Sequence, residues 1–189
     1  MICRTFGRGA FGCGFDGLAV KAKALDIRII VAPALAQRDE RSHIGPGSSQ
    51  ALAISGRANV AITDSMITNA GGAYGIFLNS GALRLHKVNI SNADSALVAQ
   101  NDGRASLSLV LIHSVNYRAR FPIFATDNVS IQVDQSVICI PANYRWESTR
   151  GNARITPSGI YGANGAALHT PPRPSDLADQ ARRLCADRF

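Results

Sequence analysis

His86 and Arg84 stand two residues apart in the segment Ala82-Leu83-Arg84-Leu85-His86. In an extended strand alternate side chains share a side, so imidazole and guanidinium would project together while Leu83 and Leu85 face the other way. An arginine fork can hold a carboxylate and a histidine can take up or release a proton. The pair suits a carboxylated sugar, with Arg84 as binder and His86 as proton acceptor or donor, and these two are the candidate catalytic residues. A second group, Asn79, Gln100, Phe77 and Phe124, combines amides with aromatic rings. Sugar faces stack on rings and hydroxyls bond to amides, so this group is expected to bind substrate. Asp134 joins it from the row that carries His86. A plain solvated sheet face, with side chains packing across strands, is the competing account of all these residues.

Other chemistries lack their parts. Glycosidic hydrolysis needs two carboxylates held roughly 5 to 9.5 Å apart, whereas Asp64, Asp94, Asp102, Asp127 and Asp134 are scattered singly. No clustered acid set suits Ca²⁺. His43, His113 and His169 each stand alone. Cys3, Cys13, Cys139 and Cys185 show no metal-ligand spacing, which argues against zinc. Cys139 lies in an apolar run and is expected to be a buried, inert thiol. No metal or other cofactor is implied.

The elements that must carry these residues follow from an internal repeat. The segments NVAITDSMITN (59–69), ALRLHKVNISN (82–92), SLSLVLIHSVN (106–116) and SIQVDQSVICI (130–140) align without gaps. One column then holds Val60, Leu83, Leu107 and Ile131, and the next Ile62, Leu85, Leu109 and Val133, at spacings of 23, 24 and 24. Ile67, Ile90 and Ile138 share a further column with Ser114, and Asn69, Asn92 and Asn116 another. A short alternating segment precedes each copy: Leu52 and Ile54, Ile76 and Leu78, Leu97 and Ala99, Ile123 and Ala125. Gly, Asn and Asp punctuate the joints. Each repeat thus holds two or three strands too short for an independent sheet and has no room for a helix. Stacking solves this: equivalent strands of successive turns pair in parallel about 4.8 Å apart, and the columns merge into one core. The outward rows should read Thr63, His86, Val110, Asp134 and Ala61, Arg84, Ser108, Gln132, with Asn79 and Gln100 in a row running from Ser55 to Thr126. The Asn column is expected to bond from turn to turn.

The stretch GIFLNSGALRLHKVNISN resembles the repeat of right-handed parallel β-helix proteins of the pectin lyase-like superfamily. The resemblance covers residues 50–140, four coils, with a fifth strand expected at Gly159, Ile160 and Tyr161. It implies an all-β protein, a right-handed parallel β-helix of four to five short coils with helical caps at the ends. It also implies binding or processing of a uronate-containing polysaccharide by a lyase, epimerase or glycoside hydrolase, in a secreted or cell-envelope setting. The alternative is a non-catalytic structural or adhesive β-helix module, including a truncated relative of a longer protein. The Gly-His-Gly of polygalacturonases, the clustered calcium ligands of pectate lyases and the DPHD signature of alginate epimerases are missing here, which puts the activity in doubt and leaves the fold untouched.

Exposed strand edges at the coil ends need covers. Residues 175–189 supply one, a helix with Ser175 as N-cap and Leu177, Ala181, Leu184 and Cys185 on one face. Leu18 to Leu25, leading into a strand at Ile27 to Val31, is a weaker candidate at the other end. The stretch Ile29 to Ala36 with its preceding basic residues has some features of an export signal, but Pro33 and Asp26 interrupt the pattern. The organisation expected is a disordered or irregular N-terminus over 1–16, a cap and lead-in strand over 17–50, coils over 51–165, and a linker with capping helix over 166–189.

Composition agrees with one folded domain: 189 residues, 46% hydrophobic and 17% charged. No run approaches the roughly 20 apolar residues of a membrane span. The net charge of +7 divides into +3, +1 and +3 over residues 1–50, 51–140 and 141–189. Excess at the two ends, without aromatic–basic interleaving, argues against nucleic acid. A polysaccharide is the expected partner, and oligomeric state is left open.

Overall fold

A computed structural model describes residues 4–6, 10–12, 19–20, 43–44, 49–56, 58–169 and 176–186. It is a parallel β-solenoid of about five turns with one short helix. Each turn contributes three short strands, so the tube has three faces. The first face stacks Asn59–Thr63, Ala82–His86, Arg104–Ser108, residues 130–134 and residues 154–158, all parallel. The second stacks His43–Ile44, residues 66–68, 89–91, Leu111–His113, 136–138 and 160–161. The third stacks Gln50–Ser55, residues 74–79, 95–100, Ile123–Ala125 and Glu147–Thr149.

One left-handed residue per turn makes the corner between the first and second faces: Asp64, Lys87, Leu109, Gln135 and Gly159, with φ of 47°, 52°, 53°, 43° and 65°. Behind it the next residue turns inward, as with Val88 and Val110, both about 1% exposed. Where this inward residue is Ser65 or Ser136, the hydroxyl donates back to the carbonyl two residues earlier, Thr63 at 2.6 Å and Asp134 at 2.7 Å. The buried polar atoms are thereby satisfied, as burial requires.

The corner spacings are 23, 22, 26 and 24, and they correct the gap-free alignment. Leu83 stacks on Ala105 and Leu85 on Leu107, which in turn pair with Ile131 and Val133. Leu109 is therefore no core residue; it holds the corner and is 37% exposed. Ile112 replaces Ser114 in the Ile67, Ile90, Ile138 column, and all four isoleucines are fully buried. The expected Asn column does not form a ladder. Asn69 is buried and donates to the carbonyls of Tyr74 and Ser49, Asn92 donates to Thr68, and Asn116 to Asp94. An amide ladder forms instead where the third face meets the first, from Asn152 to Asn128 at 3.1 Å and Asn128 to Asp102 at 3.0 Å. The third-face columns, Leu52, Ile76, Leu97, Ile123 and Ile54, Leu78, Ala99, Ala125, stack as the sequence predicts. Fully burying a Leu or Ile is worth about 1.5–3 kcal/mol, so these columns outweigh any surface contact.

The helix forms over Leu177–Cys185. Its N-cap is Asp176, without a capping side-chain bond; Ser175 lies outside the described residues. The helix packs beside Val137, Cys139, Tyr161 and Ala163, a second apolar cluster apart from the main core. Since Ile138 and Ile140 belong to the inner core, the helix covers the outer side of the last two turns. Leu184, expected on the buried face, is 36% exposed. Cys139 is not a free thiol: it forms a disulfide with Cys185, Cα–Cα 5.3 Å, across a separation of 46 residues. Val137 on the strand that receives the helix, and Cys139 just past its end, sit in the cluster that packs on the helix, which is why the two sulfurs meet.

Short antiparallel strands lie against both ends. Ala19–Val20 pairs with Gln50–Ser55, and Ala167–His169 pairs with residues 160–161. Residues 19–20, expected in a helix, are thus strand; the remainder of the proposed N-terminal helix, the lead-in strand and the export-like stretch fall outside the described residues.

Candidate functional site

Arg84 and His86 project from the exposed side of the first face, two positions apart on one strand. The register puts Ser108, not Val110, beside His86, and Asp134 beyond Ser108. His86 Nδ1 and Ser108 Oγ are hydrogen-bonded at 2.8 Å. Asp134 Oδ2 accepts from Gln132 Nε2 at 2.7 Å. Asp134 is therefore two strand spacings, about 10 Å, from the His86 position. A nucleophilic serine relay places imidazole between hydroxyl and carboxylate; here the hydroxyl occupies the middle. Arg84 lies in the neighbouring row with Ala61, Ser106 and Gln132.

On the third face Phe77, Val98 and Phe124 stand in register on successive strands. Asn79 and Gln100 follow in the adjoining row, where Gln100 Nε2 and Asn101 Nδ2 both donate to Asn79 Oδ1, at 3.3 and 2.6 Å. Phe77, Gln100 and Phe124 line a groove of about 380 Å³ together with Tyr74, Arg120 and Arg150. Asn79 supports Gln100 from outside it. Tyr74 and Phe77 are stacked, ring centres 5.9 Å apart and planes within 20°, forming one apolar platform. The Arg150 guanidinium lies 5.5 Å from the centre of the Phe124 ring. Among the described residues lining this groove there is no Asp or Glu. Two permanent cations beside exposed ring surface make it suited to an anion attached to a flat, partly apolar body.

One wall of the groove is residues 119–121, part of the bend after the second-face strand Leu111–His113. The corresponding bend in the next turn, residues 141–146, packs against it: Tyr144 meets Tyr117 edge to face at 4.8 Å, and the Arg145 guanidinium lies 5.9 Å from the Phe121 ring centre. Both bends are anchored, since Tyr117 and Tyr144 pack on the main core and Trp146 is buried in it. Arg150 continues the row of Asn79, Gln100 and Thr126 one turn further along the solenoid, whereas Arg120, Tyr74 and Phe121 do not emerge from the repeat. For Arg120 and Phe121 the nearest signal is a twin motif, Asn116-Tyr117-Arg118-Ala119 just before them and Asn143-Tyr144-Arg145-Trp146 one turn later. It is an aromatic–basic interleaving that a division of charge into two ends and a middle conceals.

A second, shallower depression of about 460 Å³ holds Asn92, Asp94, Ser114 and Asn116. Its carboxylate already accepts from Asn116. Among the described residues no three His, Cys, Asp or Glu converge as a metal site, and no helix is long and apolar enough to cross a membrane. No family model, no curated protein and no solved structure matches the chain.

Proposed function

We propose that this chain binds an acidic, uronate-containing polysaccharide in the third-face groove, as a right-handed, pectin lyase-like β-helix module. The observation that carries the reading is the pairing of Arg120 and Arg150 with the Tyr74, Phe77 and Phe124 rings in a groove without a described carboxylate. Right-handed winding is supported by the rule that about 98% of parallel crossovers take that hand. The Cys139–Cys185 disulfide supports a secreted or cell-envelope setting, where such bonds persist. The C-terminal helix serves in this reading as a lateral cap over the last turns. Binding is favoured over turnover, and hence a non-catalytic module over a lyase, because His86 is engaged by Ser108 on an open strand face away from the groove.

Affinity electrophoresis in gels containing polygalacturonate or alginate, with neutral dextran as control, tests the proposal. Retardation by the acidic polymers that Arg150→Gln weakens is the expected result; equal mobility in all gels refutes it. Release of unsaturated product that disappears in Arg84→Ala and His86→Ala would instead assign turnover to the first face.

A further inference from the structure

Resting on the acidic-glycan reading, we infer that the groove measures the position of a charge. It takes at least three consecutive sugars, the first stacked on the Tyr74–Phe77 platform and the third presenting its carboxylate to Arg150. The floor supplies the ruler. Phe77, Val98 and Phe124 occupy the same register position on three successive strands, so platform and Phe124 are two strand spacings apart, about 10 Å. The floor crosses three turns, with Arg150 reaching back over Phe124 from the end of the next strand, so the groove runs along the solenoid axis, and an extended 1,4-linked glycan advances by close to one strand spacing per sugar.

The middle step, Val98, is only 7% exposed and offers neither ring nor charge. Gln100 beside it supplies an amide to a hydroxyl.

Arg150 is built to stay in place. Its backbone N–H donates to the Ala125 carbonyl at 2.9 Å, and Gly151, at φ 62°, turns the chain away immediately after it. The guanidinium lies over Phe124, so its in-plane N–H groups stay available for a carboxylate while the ring face is already taken. Phe124 is consequently a positioning residue rather than a sugar platform. Arg120, exposed like Arg150 and with its own backbone N–H bonded to the Asn116 carbonyl at 2.9 Å, lines the groove from the 119–121 wall and adds attraction.

Calorimetry with uronate oligomers of two, three and four sugars on the full chain tests this. The expected result is a step of about tenfold or more in affinity from two sugars to three, the scale of one charge-assisted contact, and little gain from three to four. Reducing the trimer's carboxyls to alcohols should remove the step. Arg150→Lys should remove it too, since an ammonium cannot form the fork. Phe124→Ala should shrink the ratio between acidic and reduced trimer, and Phe124→Tyr should restore it. Equal increments per sugar, or a step that survives Arg150→Lys, overturn the inference and leave acidic-glycan binding standing. Failure of every oligomer and of the parent polymer overturns both, as does tight binding of a single-stranded oligonucleotide in their place.

Discussion

Removing the Cys139–Cys185 cross-link offers the sharpest energetic test of how the last turns are held. The bond closes a separation of 46 residues. In the chain-entropy account a loop of that size restricts the unfolded chain by about 4 kcal/mol at 25 °C. Apolar packing adds less: of the nine helix residues only Ala181 and Cys185 are buried, with Leu177 and Ala178 partly buried beside them. A nine-residue helix is also too short to persist in water by itself. Two outcomes can be separated. If helix and solenoid unfold together, Cys139→Ala/Cys185→Ala lowers the melting temperature by roughly 8 to 16 °C, the usual conversion for a chain of this size. If the helix first peels away, the melting temperature falls less, but amide exchange over residues 177–185 accelerates to unprotected rates and an apolar dye binds the uncovered Val137 and Tyr161. Differential scanning calorimetry and hydrogen exchange, on the variant and on wild type with and without a dithiol, distinguish them. A reduced protein that keeps both its melting temperature and its helix protection would refute the claim that the disulfide, rather than apolar packing, holds the helix.

Leu107→Ala should destabilise by about 3 kcal/mol in urea unfolding, because Leu107 is fully buried between Leu85 and Val133; an effect below about 1 kcal/mol would contradict its place in the core. Leu109→Asn should stabilise by about 1 kcal/mol, since a leucine at φ 53° bears a left-handed penalty that asparagine largely escapes; destabilisation would show that Leu109 packs after all. Pro157 sits in the last first-face strand, and because the Arg154 N–H points back to Val129, the N–H that Pro157 lacks would point to the open edge. Among the described residues nothing pairs with 154–158 on that side. Pro157→Thr restores a donor there and should raise self-association in sedimentation velocity; an unchanged monomer fraction would remove the edge-blocking role.

Legibility in the sequence depended on whether the chain stayed within the sheets. The third-face columns could be read directly because Leu52 and Ile54, Ile76 and Leu78, and their successors alternate cleanly. The first-face alignment slipped by two residues in the third copy, and hydrophobicity could not detect it. A slip of two keeps every side chain on its own face, whereas a slip of one would have thrown leucines into solvent. The informative mark was the corner, where Asp64-Ser65, Lys87-Val88 and Gln135-Ser136 each put a left-handed residue before a buried one, and Leu109-Val110 belongs with them. The disulfide was illegible for a different reason: spacing says nothing about which outward-facing position a distant helix will cover.

The 119–121 wall of the groove escaped the repeat because it is made where the repeat fails. Between the third and fourth turns the corner spacing stretches from 22 to 26, and residues of the longer bend, 119–121, form the groove wall. Extra residues are tolerated at a bend because the ladders on either side keep their register, whereas inside a strand they would break it. A solenoid therefore stores its fold in what recurs and its binding chemistry in what interrupts. Applied here, that argument gives weight to Arg120, which belongs to the lengthened bend, and Arg150 joins it from the regular row of Gln100 and Thr126; His86, by contrast, sits on a regular strand where Ser108 already engages it.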